Sequence, residues 1–333
     1  MKQNNLSIHD VQMGSLRLGD IDVILAASGY EPRCTHVLDT LQRTWKVDRK
    51  EIAEKLLVLE FVEYRDADTR TAADRFFDEF EPGTRIRVTR DSPIGISAEI
   101  GTLFRERGRT INVLVDYTAM ARLHYLTLIP SLLTRTDIHV NFAYAVGDYS
   151  GLEDQYPVST VGKPTAVPGL EGIPFSGRGR LYLFGLGYDG VGAEALAERL
   201  EADHLAVFWA DPGASSRAAD IAQSKNARLI DRARLKFSCG LREVEKLTSL
   251  LTRLAYETAG SERLVFIPIG PKPHILACGL AASQFEHAAL LAPHFDDGGI
   301  LQNIPKIQAA GEIICTSVRR IELPSYLDWS PRG

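Results

Sequence analysis

The chain has 333 residues, 45% hydrophobic, 24% charged and 8% aromatic, proportions that exclude disorder, collagen-like repeats and coiled coil as the main architecture. Forty-three acidic against thirty-eight basic side chains leave a net charge of −5, so a surface built for extended nucleic acid is not indicated. The four cysteines (Cys34, Cys239, Cys278, Cys315) form no CxxC pair, and no stretch resembles an apolar leader or a membrane span of ~20 residues. These features predict a cytoplasmic chain of about two domains, each with its own core and no membrane partner.

In chain order, the first half alternates apolar runs with helical patterns. Ile21 to Ala27 leads to a helix from Thr35 to Arg43, and Leu56 to Val62 leads to an amphipathic helix from Thr71 to Phe80. Arg85 to Val88, a helix from Ala98 to Arg107, Ile111 to Val115, a helix from Leu123 to Leu133 and His139 to Val146 complete it. Continuous apolar strands between helices predict a parallel sheet covered on both faces, because a strand with one wet face would alternate in polarity. Residues 148–179, punctuated by Pro157, Pro164, Pro168 and Pro174, read as a linker, with an edge strand at Val158 to Val161 as the alternative.

The second half repeats the order. Leu181 to Phe184, a helix from Gly192 to Leu200, Leu205 to Trp209, and a helix from Ser215 to Gln223 come first. A strand at Ala227 to Ile230, a helix from Arg242 to Ala259, Leu264 to Ile267, a helix from Ile275 to Ala282, and strands at Ala288 to Leu291 and Ile313 to Val318 follow. SGYE at Ser28 to Glu31 matches LGYD at Leu186 to Asp189, and TAAD at Thr71 to Asp74 matches RAAD at Arg217 to Asp220. The expectation is an α/β protein of two tandem Rossmann-like, doubly wound, mostly parallel domains, 1–147 and 180–333, related by internal duplication.

In such sheets ligands collect beyond the carboxyl ends of the strands, at the point where the strand order reverses. Four turns fall there: Ser28-Gly29-Tyr30-Glu31-Pro32-Arg33, Asp116 to Arg122 (DYTAMAR), Gly185 to Gly192 (GLGYDGVG) and Gly270 to His274 (GPKPH). Each ends a strand and opens a helix, so backbone N–H groups and the positive helix end can receive an anion. Arg122 offers a bidentate fork to a phosphate, Thr118 a hydroxyl or a helix N-cap, and Lys272 a cation in a turn stiffened by Pro271 and Pro273. Glu31 and Arg33 either complete this pocket or pair with each other.

Gly185-x-Gly187-x-x-Gly190, between a strand and a helix, has the context of a dinucleotide turn, and Asp211 ends the next strand where a ribose hydroxyl would be received. An NAD(P) site and a glycine turn without cofactor are equally open readings of this motif. His274 and Cys278 share a helical spacing but lack a third metal ligand, and His294-x-Asp296-Asp297 is an acidic loop that could take a cation. No Walker GxxxxGK[ST], HExxH or GxSxG is present.

With DYTAMAR at Asp116 to Arg122 as a strand-end acid, threonine and base, and SGYEPR at Ser28 to Arg33 after the first strand, the layout resembles the CRISPR-associated Rossmann-fold (CARF) domains and their fused two-copy relatives. Ala119-Met120-Ala121 stands where many members carry glycines. The resemblance implies a pocket for a cyclic oligonucleotide between the lobes, lined by Ser28, Arg33, Thr118 and Arg122 from one and by Gly187, Tyr188 and Lys272 from the other. The function expected is that of a nucleotide sensor or accessory protein in signalling or defence, acting through a protein effector or as a homodimer. If it consumes its ligand it is a phosphodiesterase of the ring-nuclease kind. The alternatives are an NAD(P)-dependent oxidoreductase and a non-catalytic scaffold.

Overall fold

The computed structural model describes residues 5–63, 65, 67–93, 96, 109–150, 160–161, 164–173, 179–202, 204–293, 295–296 and 306–322. The chain opens with β1 (Asn5–Val11) and then lays down the strands β2 (Val23–Ser28), β3 (Leu56–Phe61), β4 (Thr84–Val88), β5 (Ile111–Asp116) and β6 (Ile138–Gly147), which pair parallel with one another. In space they run β4-β3-β2-β5-β6, which puts the first and fourth strands of the half side by side and creates the reversal between β2 and β5. The second lobe repeats that order with β9 (Gly179–Gly185), β10 (Leu205–Ala210), β11 (Leu235–Cys239), β12 (Glu262–Pro268) and β13 (Ala289–Ala292), arranged β11-β10-β9-β12-β13. The protein is α/β, with two Rossmann-like lobes built on mostly parallel sheets.

Helix composition decides the layering. The amphipathic helices α1 (His36–Trp45) and α3 (Asp68–Asp78), with the short α2 (Arg49–Ala53) between them, bury one stripe each, including Val37, Leu41 and Phe77, against Ile24, Val58 and Leu114 on one face of the first sheet. By contrast α4 (Arg122–Leu133) is apolar almost all round, which fits only a helix covered on every side. In the second lobe α5 (Gly190–Arg199), α6 (Ala218–Lys225) and α7 (Ala227–Arg232) follow the strands on the outer side. On the inner side α8 (Val244–Thr258) packs beside α9 (Lys272–Ala282), in which every residue from Pro273 to Ala282 is buried. Gly279 lets α9 meet α4, because a Cβ there would stand 2.5 Å from Ile129 Cδ1 and 2.6 Å from Leu126 Cδ2.

One apolar cluster therefore runs from Leu25, Val113 and Phe142 of the first sheet through Leu126, Ile129, Ile275 and Leu276 to Leu183, Phe208 and Phe266 of the second. This corrects the expectation of two separate cores: the largest core is shared, and the lobes bury their inner helices against each other.

The linker and the end of the chain tighten the union. After β6 come β7 (Thr160–Val161) and β8 (Thr165–Ala166), and β8 pairs antiparallel with β13 of the other lobe. After β13 come β14 (Phe295–Asp296) and β15 (Ala309–Ile321), and β15 pairs antiparallel with β6 and carries β1 on its far side. β7 and β14 pair with each other. The segment that follows the fifth strand of each half thus closes the sheet of the opposite half.

Residues 180–333 are consequently not a self-contained unit. The strand expected at Ile313 to Val318 as the last of the second half lies in the first sheet, because an apolar run specifies burial and not the neighbour that receives its hydrogen bonds. Ala227 to Ile230, expected as a strand, is helical, and the third strand of that lobe is Leu235–Cys239. β11 lies at the sheet edge with Leu235, Lys236 and Ser238 exposed, so its sequence lacks the unbroken apolar run that marks its neighbours. The helix expected from Ala98 to Arg107 lies outside the described residues, as do His294 and Asp297 of the acidic loop.

Candidate functional site

All four turns stand at the carboxyl ends of β2, β5, β9 and β12, and several contacts join them. Gly29 lies against Ala119, where a Cβ on the glycine would stand 2.8 Å from Ala119 Cβ. Gly187 faces Gly270 across 3.1 Å in the same sense. Between the lobes, Arg122 Nη2 donates to the carbonyl of Ile269 at 3.3 Å, and Lys272 Nζ donates to the carbonyls of Tyr117, Thr118 and Met120 at 3.3, 2.5 and 2.8 Å. The rings of Tyr149 and Tyr188 meet edge to face at 6.0 Å. Tyr30, Glu31, Ala119, Arg122, Gly187, Tyr188 and Lys272 are half-buried, so solvent reaches part of each of them.

Several residues named from the sequence are held by protein. Ser28 is fully buried and donates its hydroxyl to Asp74 Oδ1 at 2.5 Å, and Asp74 also accepts from Arg70 Nε at 2.8 Å. Arg33, 2% exposed, donates Nε to Glu31, Nη1 to the Tyr144 hydroxyl and the Ala145 carbonyl, and Nη2 to the Tyr149 hydroxyl. Of the two readings of Glu31 and Arg33, the structure gives the ion pair, at 2.6 Å.

Thr118 was expected to cap a helix or to face a ligand. Its Oγ1 instead accepts the Ala145 N–H at 2.9 Å, while Asp116 Oδ1 accepts the Thr118 N–H at 3.0 Å, and α4 begins only at Arg122. The hydroxyl is drawn toward β6 because β5 and β6 are hydrogen-bonded neighbours there. Among the described residues no hydrogen-bond donor reaches the buried Asp116 Oδ2.

In the glycine turn each missing side chain leaves room that protein atoms fill. A Cβ at Gly185 would meet the Phe208 ring at 2.7 Å, and one at Gly190 would meet the Lys225 carbonyl oxygen at 1.7 Å. Asp189 caps α5 by accepting the Gly192 N–H at 2.9 Å, which places a carboxylate where a pyrophosphate would sit. Asn226 Nδ2 holds the Gly187 carbonyl at 2.8 Å. Asp211 is exposed just past the end of β10. His274 is buried, with its ring 5.7 Å from Phe208 and Nε2 at 3.3 Å from the Gly240 carbonyl, and Cys278 is packed in the core. Among the described residues no group of three or more His, Cys, Asp or Glu side chains could hold a metal.

No family model and no curated protein matches the chain. Among solved structures, the cytoplasmic domain of a prokaryotic cation chloride cotransporter is similar over 84% of this chain and 97% of that one, at 10% identity and a TM-score of 0.26. At that score the likeness carries no argument about this chain. No helix among the described residues is long and apolar enough to cross a membrane.

Burial sets the electrostatics of the junction. It pushes the Asp116 carboxyl up to about 6, against the pull of Thr118, Lys272 and Arg33. It brings the Lys272 amine down to about 7, aided by Arg33 and Arg122 and opposed by Glu31 and Asp116. Burial also brings His124 and His274 down to about 4.

The histidines give a pH prediction whose sign is fixed. Because both bind protons less readily folded than unfolded, their contribution is complete above pH 6.5 and is lost as pH falls toward 4. Asp116 acts in the opposite direction between 3.8 and about 6, since its neutral form is favoured in the fold. The expected result is a loss of roughly 2–3 kcal/mol per histidine between pH 6.5 and 4, partly offset by Asp116. Urea midpoints across that range should fall less steeply in His274→Gln than in the natural chain, and equal slopes would remove His274 as a cause.

The sequence reading missed Tyr144 and Tyr149, which receive Arg33, and the Ile269 carbonyl, which receives Arg122. No local signal marks them: Tyr144 lies within a buried strand and reads as core, Tyr149 falls in the chain beyond that strand, and a backbone carbonyl leaves no mark in the sequence. Arg70 and Asp74 were legible as an i, i+4 pair on a helix face.

Proposed function

We propose that the chain senses a phosphate-bearing nucleotide, taken up where the turns of its two Rossmann-like lobes meet, and passes that occupancy to a protein effector in a signalling or defence pathway. One observation carries the reading. α4 and α9, the helices that follow the fourth strand of each lobe, both start without a side-chain cap and both bear a cation on their first residue at the half-buried junction. Uncapped helix N–H groups beside a guanidinium and an ammonium are complementary to an oxyanion. The resemblance of DYTAMAR and SGYEPR to CARF domains supports a cyclic oligonucleotide as the particular ligand. In this reading phosphate oxygens take over from the carbonyls that now hold Arg122 and Lys272, and the lobes register the exchange.

The dinucleotide alternative has less support, because Asp189 already occupies the helix end in GLGYDG and the glycines are accounted for by Phe208, Gly270 and Lys225. A thermal-shift series with cyclic tri- and tetraadenylate, NAD⁺ and NADP⁺ separates the two. A rise in melting temperature with a cyclic nucleotide, lost in Arg122→Gln, is the expected result. A rise with NAD⁺ lost in Gly187→Val would replace the sensor with an oxidoreductase, and no rise with any compound would leave a scaffold.

A further inference from the structure

We infer that Arg122 and Lys272 are the two arms of one clasp, each seated in the turn of the opposite lobe, that sets how far the lobes open at the junction. The two residues hold equivalent places in the repeat, each being the first residue of the helix after the fourth strand of its lobe. Each reaches out of its own lobe. Arg122 takes the carbonyl that follows β12, and Lys272 takes three carbonyls in the turn that follows β5.

A purely local role does not account for this placement. The positive end of a helix repels a cation, so neither residue stabilises its own helix from the first position. Among the described residues the Lys272 amine is held by carbonyl oxygens and not by a carboxylate, and those carbonyls belong to the other lobe.

The fold restricts what such a clasp can control. Because β8 and β15 are exchanged between the sheets, the lobes cannot part, and Gly279 brings α9 against Leu126 and Ile129 of α4 as a tight apolar crossing below the turns. The remaining freedom is a hinge-like opening at the turn end, and the four cation-to-carbonyl bonds span that opening.

Hydrogen exchange on the full-length chain tests the reciprocity. The Tyr117 and Thr118 amides, bonded to the Ala143 carbonyl and Asp116 Oδ1, report on the first lobe, and the Ile269 and Gly270 amides, both bonded to the Gly185 carbonyl, report on the second. Lys272→Met should speed exchange at Tyr117 and Thr118, and Arg122→Gln should speed it at Ile269 and Gly270, each by about tenfold through easier local opening. Acceleration confined to the helix that carries the substitution, or none at all, would overturn the clasp. Should Lys272→Met fail to fold, Arg122→Gln decides alone, since that residue is half-buried. The clasp stands without any ligand, so adding inorganic triphosphate to the natural chain tests the phosphate reading separately.

Discussion

Arg33→Ala should lower the free energy of unfolding by roughly 3–5 kcal/mol, the range for breaking one partner out of a buried ion pair. The guanidinium is 2% exposed and spends its donors on Glu31 at 2.6 Å, the Tyr144 hydroxyl at 2.7 Å, the Ala145 carbonyl at 3.0 Å and the Tyr149 hydroxyl at 3.3 Å. It also lies over the Tyr144 and Tyr149 rings at 5.0 and 5.8 Å. Truncation strands the Glu31 carboxylate and two hydroxyls, and it removes the bridge from the first turn to β6 and the chain beyond it. Arg33→Lys should recover little, because a single ammonium cannot reproduce a planar fork between two rings. Urea denaturation followed by circular dichroism measures the loss, and a midpoint equal to that of the natural chain would show that the Arg33 network adds nothing to stability.

The second large effect is expected at Gly190. A Cβ there would stand 1.7 Å from the Lys225 carbonyl oxygen and 2.5 Å from its carbon, and both atoms are backbone at the end of α6. Neither can rotate aside, so α5 must move away from α6 and open the apolar layer that holds Ala193, Leu196 and Ala197. Gly190→Ala should therefore cost about 3 kcal/mol or more, the upper range for overpacking. Gly187→Ala should be milder, since its nearest obstacle is the Gly270 Cα at 3.1 Å. If instead Gly190→Ala were as stable as the natural chain, the third glycine would not be a packing requirement of this turn.

The candidate site was legible from the sequence as four turns, because each follows an unbroken apolar strand and opens a helix. Residue roles within those turns were not. Arg33 and Arg122 look alike in the sequence as basic residues a few positions past a strand, yet one is sealed between tyrosines and the other reaches across the lobes. Thr118 has the composition of a helix cap, but the helix starts four residues later and its hydroxyl serves β6. Which acceptor a side chain finds depends on segments far away in the chain, and a local pattern does not encode those distances.

The amino-acid order by itself determined the alternation of strands and helices in both halves, except for the third strand of the second half, and the place of the glycine and cation-bearing turns. Apolar continuity and helical periodicity act over a few residues, and burial rewards them wherever the segment ends up. Only the tertiary structure decided that β8 and β15 change lobes, that α4, α8 and α9 form a common middle layer, and that Lys272 seats in the turn of its neighbour. A strand edge accepts any backbone partner and an apolar helix any apolar surface, so those choices were made by which pairings closed the shared core while leaving the fewest buried backbone groups without partners.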